Sequence, residues 1–236
     1  MDHFENTRKT FEAHVKPVLR YSNRRRLDIL LDYVTNKDVL DLGCVEHEAA
    51  IEEKKGWWLH SLIKSRARSV KGVDYDSSAV ATLSEKGYNV CVANVEKMDL
   101  GETFDVVIAG ELVEHLTNHR SFFDSVKKHL KPDGIFVASV PNANSLNYFM
   151  QNLVFGHEVD AWDHAVFFTP VTVSVMLKKC GMVPVDIVVY QPPEIFHHER
   201  LSRQIVARLS NGVQQALCAV RPIMGRGLIF AAKVAR

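Results

Sequence analysis

Two histidines stand where a proton could be taken from a hydroxyl. His115 closes the phrase Ala109-Gly110-Glu111-Leu112-Val113-Glu114-His115, and His164 lies in Asp163-His164-Ala165-Val166-Phe167-Phe168. Imidazole titrates near neutrality, so either ring suits a general base. Glu111, Glu114 and His115 also offer two carboxylates and an imidazole one helical turn apart. That set could hold a divalent cation, or contact a ligand and cap a helix without one. Acids and small residues close other apolar runs: Asp41-Leu42-Gly43-Cys44, Gly72-Val73-Asp74, Asn94-Val95-Glu96 and Val140-Pro141-Asn142. A glycine just past a strand lets backbone N–H groups approach a ligand closely, and an acid ending the next strand can accept both hydroxyls of a ribose.

These residues share a place because of the elements that precede them. Runs at 38–42, 69–74, 89–93, 104–109, 134–140, 184–190 and 227–234 read as buried strands, the fifth entered through the turn Lys131-Pro132-Asp133-Gly134. Helical patterns at 77–86, 119–130 and 170–180 separate most of them. Strands alternating with helices of this length predict a parallel sheet covered on both faces, with ligands held beyond the carboxyl ends of the strands. Residues 4–35 carry two helix-like patterns broken near Tyr21-Ser22-Asn23, so a helical cap is expected over about 1–36. No linker divides the chain, and one domain over residues 1–236 is expected.

Composition narrows the function. With 29 Lys and Arg against 28 Asp and Glu, the formal net charge is +1, which gives no reason to expect nucleic-acid binding. Cys44, Cys91, Cys180 and Cys218 lie far apart, without metal-type spacing or disulfide density, so a reducing cytoplasm is the simplest expectation. The first twenty residues lack the apolar stretch of a secretory signal, and no apolar run is long enough for a membrane span.

Read in order, the strand ends resemble those of the class I S-adenosylmethionine (SAM)-dependent methyltransferases. The look is nearest to the small-molecule O-methyltransferases of the ubiquinone-biosynthesis type. Phe104–Leu116, Leu130–Asn142 and His164–Pro170 carry most of the likeness, which covers roughly residues 37–190. It implies an α/β, doubly wound, Rossmann-like sheet of seven strands with an antiparallel last strand. It also implies SAM as cofactor, held by Asp41, Gly43, Asp74, Tyr75, Asn94, Val95, Gly110 and Glu111. Asp74 would take the ribose hydroxyls, Asn94 the adenine edge, and Val95 would lie near the base. His115 and His164 would be the candidate bases. Glu111-x-x-Glu114-His115 is similar to a phrase that supplies metal ligands in some relatives, so Mg2+ is a secondary expectation. Segment 142–168, rich in aromatic residues including Tyr148, Phe149, Phe155, Trp162, Phe167 and Phe168, would contact the acceptor.

One departure stands out. The family usually has Gly-x-Gly-x-Gly after the first strand; this chain has Gly43-Cys44-Val45-Glu46-His47, followed by extra residues that include Trp57-Trp58-Leu59-His60. A β-branched Val45 does not readily take a positive φ. The loop is therefore expected to cradle SAM in another conformation, the alternative being weak binding, and residues 45–62 could join the acceptor pocket or form an aromatic lid.

The function implied is methylation of a hydroxyl on a small molecule, a sugar or a lipid-linked glycan. The alternatives are an RNA 2′-O-methyltransferase and a non-catalytic binding protein that kept the fold. In 191–226, Leu201, Ile205, Leu209 and Val213 form an apolar stripe with Arg200, Arg203 and Arg208 off it. The stripe could pack on the sheet, make a homodimer, or contact an anionic membrane surface peripherally.

Overall fold

In the computed structural model, which describes residues 3–45, 57–157, 163–192 and 212–235, the strands join into a single mixed sheet. They are β1 (Leu19–Ser22), β2 (Asp38–Leu42), β3 (Ser69–Asp74), β4 (Val90–Val92), β5 (Phe104–Gly110), β6 (Leu130–Pro141), β7 (Met182–Tyr190) and β8 (Gly227–Val234). Their order across the sheet is β1-β7-β8-β6-β5-β2-β3-β4. The helices are α1 (His3–Thr10), α2 (Arg26–Val34), α3 (Leu59–Lys64), α4 (Ser77–Glu85), α5 (His119–Lys128), α6 (Leu146–Phe155), α7 (Pro170–Lys179) and α8 over 212–220.

The central strands are continuous apolar runs because both faces are covered. On one face Phe122 and Phe123 of α5 meet Phe136 of β6 and Phe230 of β8, with successive rings edge-on or tilted. On the other face Ile29, Leu30 and Val34 of α2 pack against Val39, Ile108, Val137 and Ile229. Helix starts are set locally. The Asn118 side chain accepts from the Ser121 N–H at α5, and Thr169 and Thr172 form a reciprocal capping box at α7, with Pro170 at its first position. At the amino ends of β2 and β5, away from the strand ends discussed above, Asp38 and Asp105 each accept from both Arg68 and Lys131. Hydrogen bonds from Arg68, then Lys131 and Ser69, hold the Asp38 carboxyl well below its usual range.

The doubly wound α/β expectation holds, and β8 runs antiparallel to both of its neighbours, β6 and β7. Among the described residues the sheet has eight strands, where seven were expected. The extra strand, β1, occupies the place where the sequence suggested a break between two helices, so the segment before β2 is not wholly helical. β1 is four residues long, lies at the sheet edge, and pairs in parallel with β7. Its side chains are tied across that pairing: Arg20 Nη2 lies 2.8 Å from Asp186 Oδ2, and the Tyr33 hydroxyl donates to the same carboxylate. Burial first, then that hydrogen bond, pushes the Tyr33 phenol up to about 12. A strand this short has no pattern of its own, and its partner lies far along the chain.

Leu201, Ile205 and Leu209 of the apolar stripe lie outside the described residues, while Val213 on α8 is 59% exposed. Among the described residues no helix is long and apolar enough to cross a membrane.

Candidate active site

A cavity of about 560 Å3 opens at the carboxyl ends of β2, β3, β5 and β6. Gly43 makes the turn out of β2 with φ +71°, a conformation that costs a side chain but not glycine. The turn lets the N–H groups of Gly43 and Cys44 both donate to the Val73 carbonyl, at 2.8 and 3.2 Å. Val45 N–H then donates to Asp74 Oδ2 at 3.1 Å, and Asp76 N–H to Asp74 Oδ1 at 3.1 Å. Asp74, 6% exposed, is thereby fixed on the cavity wall with a second lone pair on each oxygen. Asp76 in turn caps α4 by accepting from the Ser78 and Ala79 N–H groups.

The end of β5 forms the opposite lip. Glu111 has φ +56°, a rare conformation for a residue with a side chain, and its N–H donates to the Ser139 carbonyl at 3.0 Å. The reversal sends its carboxylate to Arg26 Nη1 at 3.3 Å, while Arg26 also donates to Ser139 Oγ at 3.2 Å. Arg26 opens α2 and brings a guanidinium to the Gly43 and Gly110 end of the cavity. Further along, Asn142 is wholly buried and its Nδ2 donates to the carbonyls of Ile223 and Gly225, at 2.9 and 2.6 Å. That staple fixes the turn into β8, from which Arg226 lines the cavity beside Tyr148 and Tyr190. Gly227 leaves room for the Tyr190 ring: a Cβ there would stand 2.3 Å from the hydroxyl. Burial, then the charge of Glu111, pushes the Tyr190 phenol up.

His115 and His164 meet. Their ring centroids are 4.7 Å apart and nearly edge-on, on the wall of this same cavity. Asp163 Oδ2 lies 3.2 Å from His115 Nδ1, which favours the tautomer that leaves Nε2 as the basic nitrogen. The segment carrying Asp163 and His164 is docked by the N–H groups of Ala165 and Val166 on the Glu114 carbonyl, at 2.8 and 3.2 Å. Glu114 is fully buried, and ligand atoms of Glu114, His115 and His164 all lie within 4.8 Å of one another. The expected grouping of Glu111 with Glu114 on one helical face does not form. The positive φ at Glu111 and a single 3-10 turn over Val113–His115 separate the two carboxylates, so Glu111 goes to Arg26 and His164 takes its place in the cluster.

The other expected residues divide by position. Gly43, Asp74, Gly110 and Glu111 line the cavity, as does Tyr75, which is 80% exposed at its rim. Asn94 and Val95 are not among the described residues that line it. Asn94 is exposed with its Oδ1 accepting from the Glu96 N–H, and Val95 packs in the core. Asp41 is buried and is not among the described residues that line this cavity: His60 Nδ1 lies in hydrogen-bond contact with its Oδ2 at 2.8 Å. Burial pushes the Asp41 carboxyl above its ordinary range, and the His60 hydrogen bond opposes that rise. Of the loop after β2, Glu46 and His47 lie outside the described residues, as does Trp162. Arg26, Tyr190 and Arg226 were not anticipated. Each comes from a segment whose local pattern speaks only of helix or strand, and only the sheet order brings them to one cavity.

Comparison with known proteins places the chain in a family. Residues 11–186 match the model of a family described as a methyltransferase domain. A ubiquinone biosynthesis O-methyltransferase of Rickettsia conorii is 24% identical over 173 residues, covering 67% of this chain and 56% of that protein. A probable S-adenosylmethionine-dependent methyltransferase of Mycolicibacterium smegmatis is 32% identical over 109 residues, covering 45% of this chain and 38% of that one. The match thus spans about half or less of these curated relatives. Among solved structures, a SAM-dependent methyltransferase from Archaeoglobus fulgidus superposes with a TM-score of 0.58 at 20% identity, covering 98% of this chain and all of that one. One from Mesorhizobium loti gives 0.54 at 18% identity, covering 87% and 94%. The chain belongs to this methyltransferase-domain family, within the class I SAM-dependent methyltransferases.

Proposed function

We propose that this protein transfers a methyl group from SAM to a hydroxyl of a small molecule, a class that includes sugars and lipid-linked glycans. The observation that carries the reading is the meeting of His115 and His164 on the cavity that Gly43 and Asp74 also line. The cavity has the size of a cofactor-and-substrate site, and its walls offer what a zwitterionic nucleoside needs. Asp74 accepts the ribose hydroxyls with its remaining lone pairs, Arg26 faces the carboxylate of the amino-acid end, and the turn at Gly43 admits that end to the backbone. Bound SAM supplies an electrophilic methyl group on a sulfonium. The protein's part is to hold the acceptor in line and to take its proton on His115 Nε2 as the oxygen–methyl bond forms. Asp163 keeps His115 in the required tautomer and stabilises the imidazolium that results. The relatives named as ubiquinone biosynthesis O-methyltransferases support a hydroxyl acceptor, and the near-neutral charge weighs against RNA.

Calorimetric titration with SAM and with its demethylated product, S-adenosylhomocysteine, tests the donor site. Asp74→Ala removes the buried acceptor and is expected to weaken SAM binding about tenfold or more. Affinity unchanged by that substitution rules out Asp74 as the ribose ligand.

A second reading concerns the same histidines. The spacing of Glu114, His115 and His164 supports a divalent cation, Mg2+ included, held beside the acceptor. Such an ion would acidify the acceptor hydroxyl directly. On this reading activity is lost in EDTA and returns on adding Mg2+; full activity in the chelator leaves His115 acting as a base alone.

A further inference from the structure

The turn Gly43-Cys44-Val45 after β2 has a single glycine, yet each of its three residues is held by a hydrogen bond. We propose that His60 and Trp58, from the residues inserted before α3, are positioning residues that replace the glycine-rich turn and shape the pocket for the amino-acid end of SAM. The proposal rests on the SAM reading above and adds to it how this chain holds that end.

Three observations carry it. The Trp58 indole Nε1 donates to the Cys44 carbonyl at 3.0 Å, so a buried side chain pins the second residue of the turn. His60, 1% exposed, hydrogen-bonds through Nδ1 to Asp41 at 2.8 Å and packs at a tilt against Trp58 and Tyr88, whose ring centroids lie 5.7 and 5.6 Å away. Its Nε2 is buried and meets no hydrogen-bonding group among the described residues. Beside this pair is a second cavity of about 30 Å3, walled by Asp41, Trp58, His60, Arg26, Gly43, Val45 and Gly110 among others. The last four also wall the 560 Å3 cavity, so the small one adjoins it at the end where Arg26 stands.

The chemistry follows from these positions. A glycine-rich turn admits a ligand by having no side chains in the way. Here Cys44 and Val45 do have side chains, and the backbone must be held from outside if the turn is to present one fixed edge. Trp58 supplies a donor for the Cys44 carbonyl, and Asp74 an acceptor for the Val45 N–H. His60 gives the buried Asp41 carboxyl a hydrogen-bond partner at 2.8 Å, which opposes the rise that burial imposes on it. The Arg26 guanidinium beside this turn suits the carboxylate of the methionine end, and His60 and Trp58 hydrogen-bond to Asp41 and the Cys44 carbonyl rather than to Asp74, the residue that faces the ribose.

That asymmetry gives the test. 5′-Methylthioadenosine shares the adenosine and the thioether with S-adenosylhomocysteine but has no amino-acid end. Both are titrated calorimetrically into wild-type protein, His60→Phe, His60→Asn and Trp58→Phe, with circular dichroism and thermal melts confirming that each is folded. His60→Phe keeps a ring between Trp58 and Tyr88 and loses the donor to Asp41. It is expected to weaken S-adenosylhomocysteine about tenfold or more, with methylthioadenosine changed less than about twofold. His60→Asn restores a donor near the place of Nδ1 and is expected to recover most of the loss. Trp58→Phe loses one neutral hydrogen bond and is expected to cost about threefold, again only for the homocysteine compound. If His60→Phe does not fold, Trp58→Phe decides by the same comparison. Equal weakening of both ligands, or no weakening in folded His60→Phe or Trp58→Phe, overturns the proposal while leaving the SAM reading standing. Failure of wild-type protein to bind either ligand overturns both.

Discussion

His115→Ala is expected to lower the methyl-transfer rate by about 10²–10⁴-fold while SAM affinity stays within about twofold. The separation follows from where the residue stands. His115 is placed by the 3-10 turn after β5, its Nδ1 lies 3.2 Å from Asp163 Oδ2, and its ring meets His164 edge-on at the cavity wall. Gly43 and Asp74, proposed to hold the donor, reach that cavity from β2 and β3, through hydrogen bonds that do not involve His115. Removing the imidazole leaves those bonds intact and takes away the proton acceptor. Single-turnover rates with a hydroxyl acceptor, set beside calorimetric SAM affinity, measure the two quantities independently. A variant that turns over at the wild-type rate would show that in-line positioning suffices and that no base is needed.

Gly43→Val should weaken SAM binding by about one to two orders of magnitude. The wild-type φ of +71° lies where a β-branched side chain costs about 1–3 kcal/mol, and each 1.4 kcal/mol is about tenfold in a binding constant. A Cβ at this position would also stand 3.2 Å from Leu112 Cδ1, so the neighbouring lip must shift. The cheapest relief is to swing the turn out, breaking the donations of Gly43 and Cys44 to the Val73 carbonyl that hold it. Gly87→Val is the control. Gly87 has a similar φ of +79°, with nothing within 4 Å of its Cβ direction, and it follows α4 rather than lining the cavity. It should lower the melting temperature and leave SAM affinity unchanged. Equal loss of affinity in both variants would mean that Gly43 matters for stability alone.

The order of strands and helices was legible in the sequence because it rests on local physics. A parallel strand covered on both faces must be apolar throughout, as Val39 to Leu42 and Val106 to Ala109 are, with Asp41 excepted. Gly43 was legible for the same reason: a chain leaving a strand at once into a turn needs a residue that tolerates positive φ. Asp74, at the end of the neighbouring strand, followed from the rule that ligands bind beyond the carboxyl ends.

Tertiary structure decided the rest. Strand β1 exists only because β7 offers an edge and Asp186 a partner for Arg20, and neither is visible from residues 19–22. Glu111 and Glu114 look like neighbours on a helix, but the backbone reverses at Glu111, and the carboxylates part toward Arg26 and His164. Asp41 has the type and place of a ligand contact in the sequence, and burial beside His60 made it the anchor of a turn. In each case the deciding term is a contact between residues distant along the chain. The sequence by itself determined which residues lie at strand ends; the energies of burying and pairing charge, which depend on what else arrives at the same point in space, determined what each of them faces.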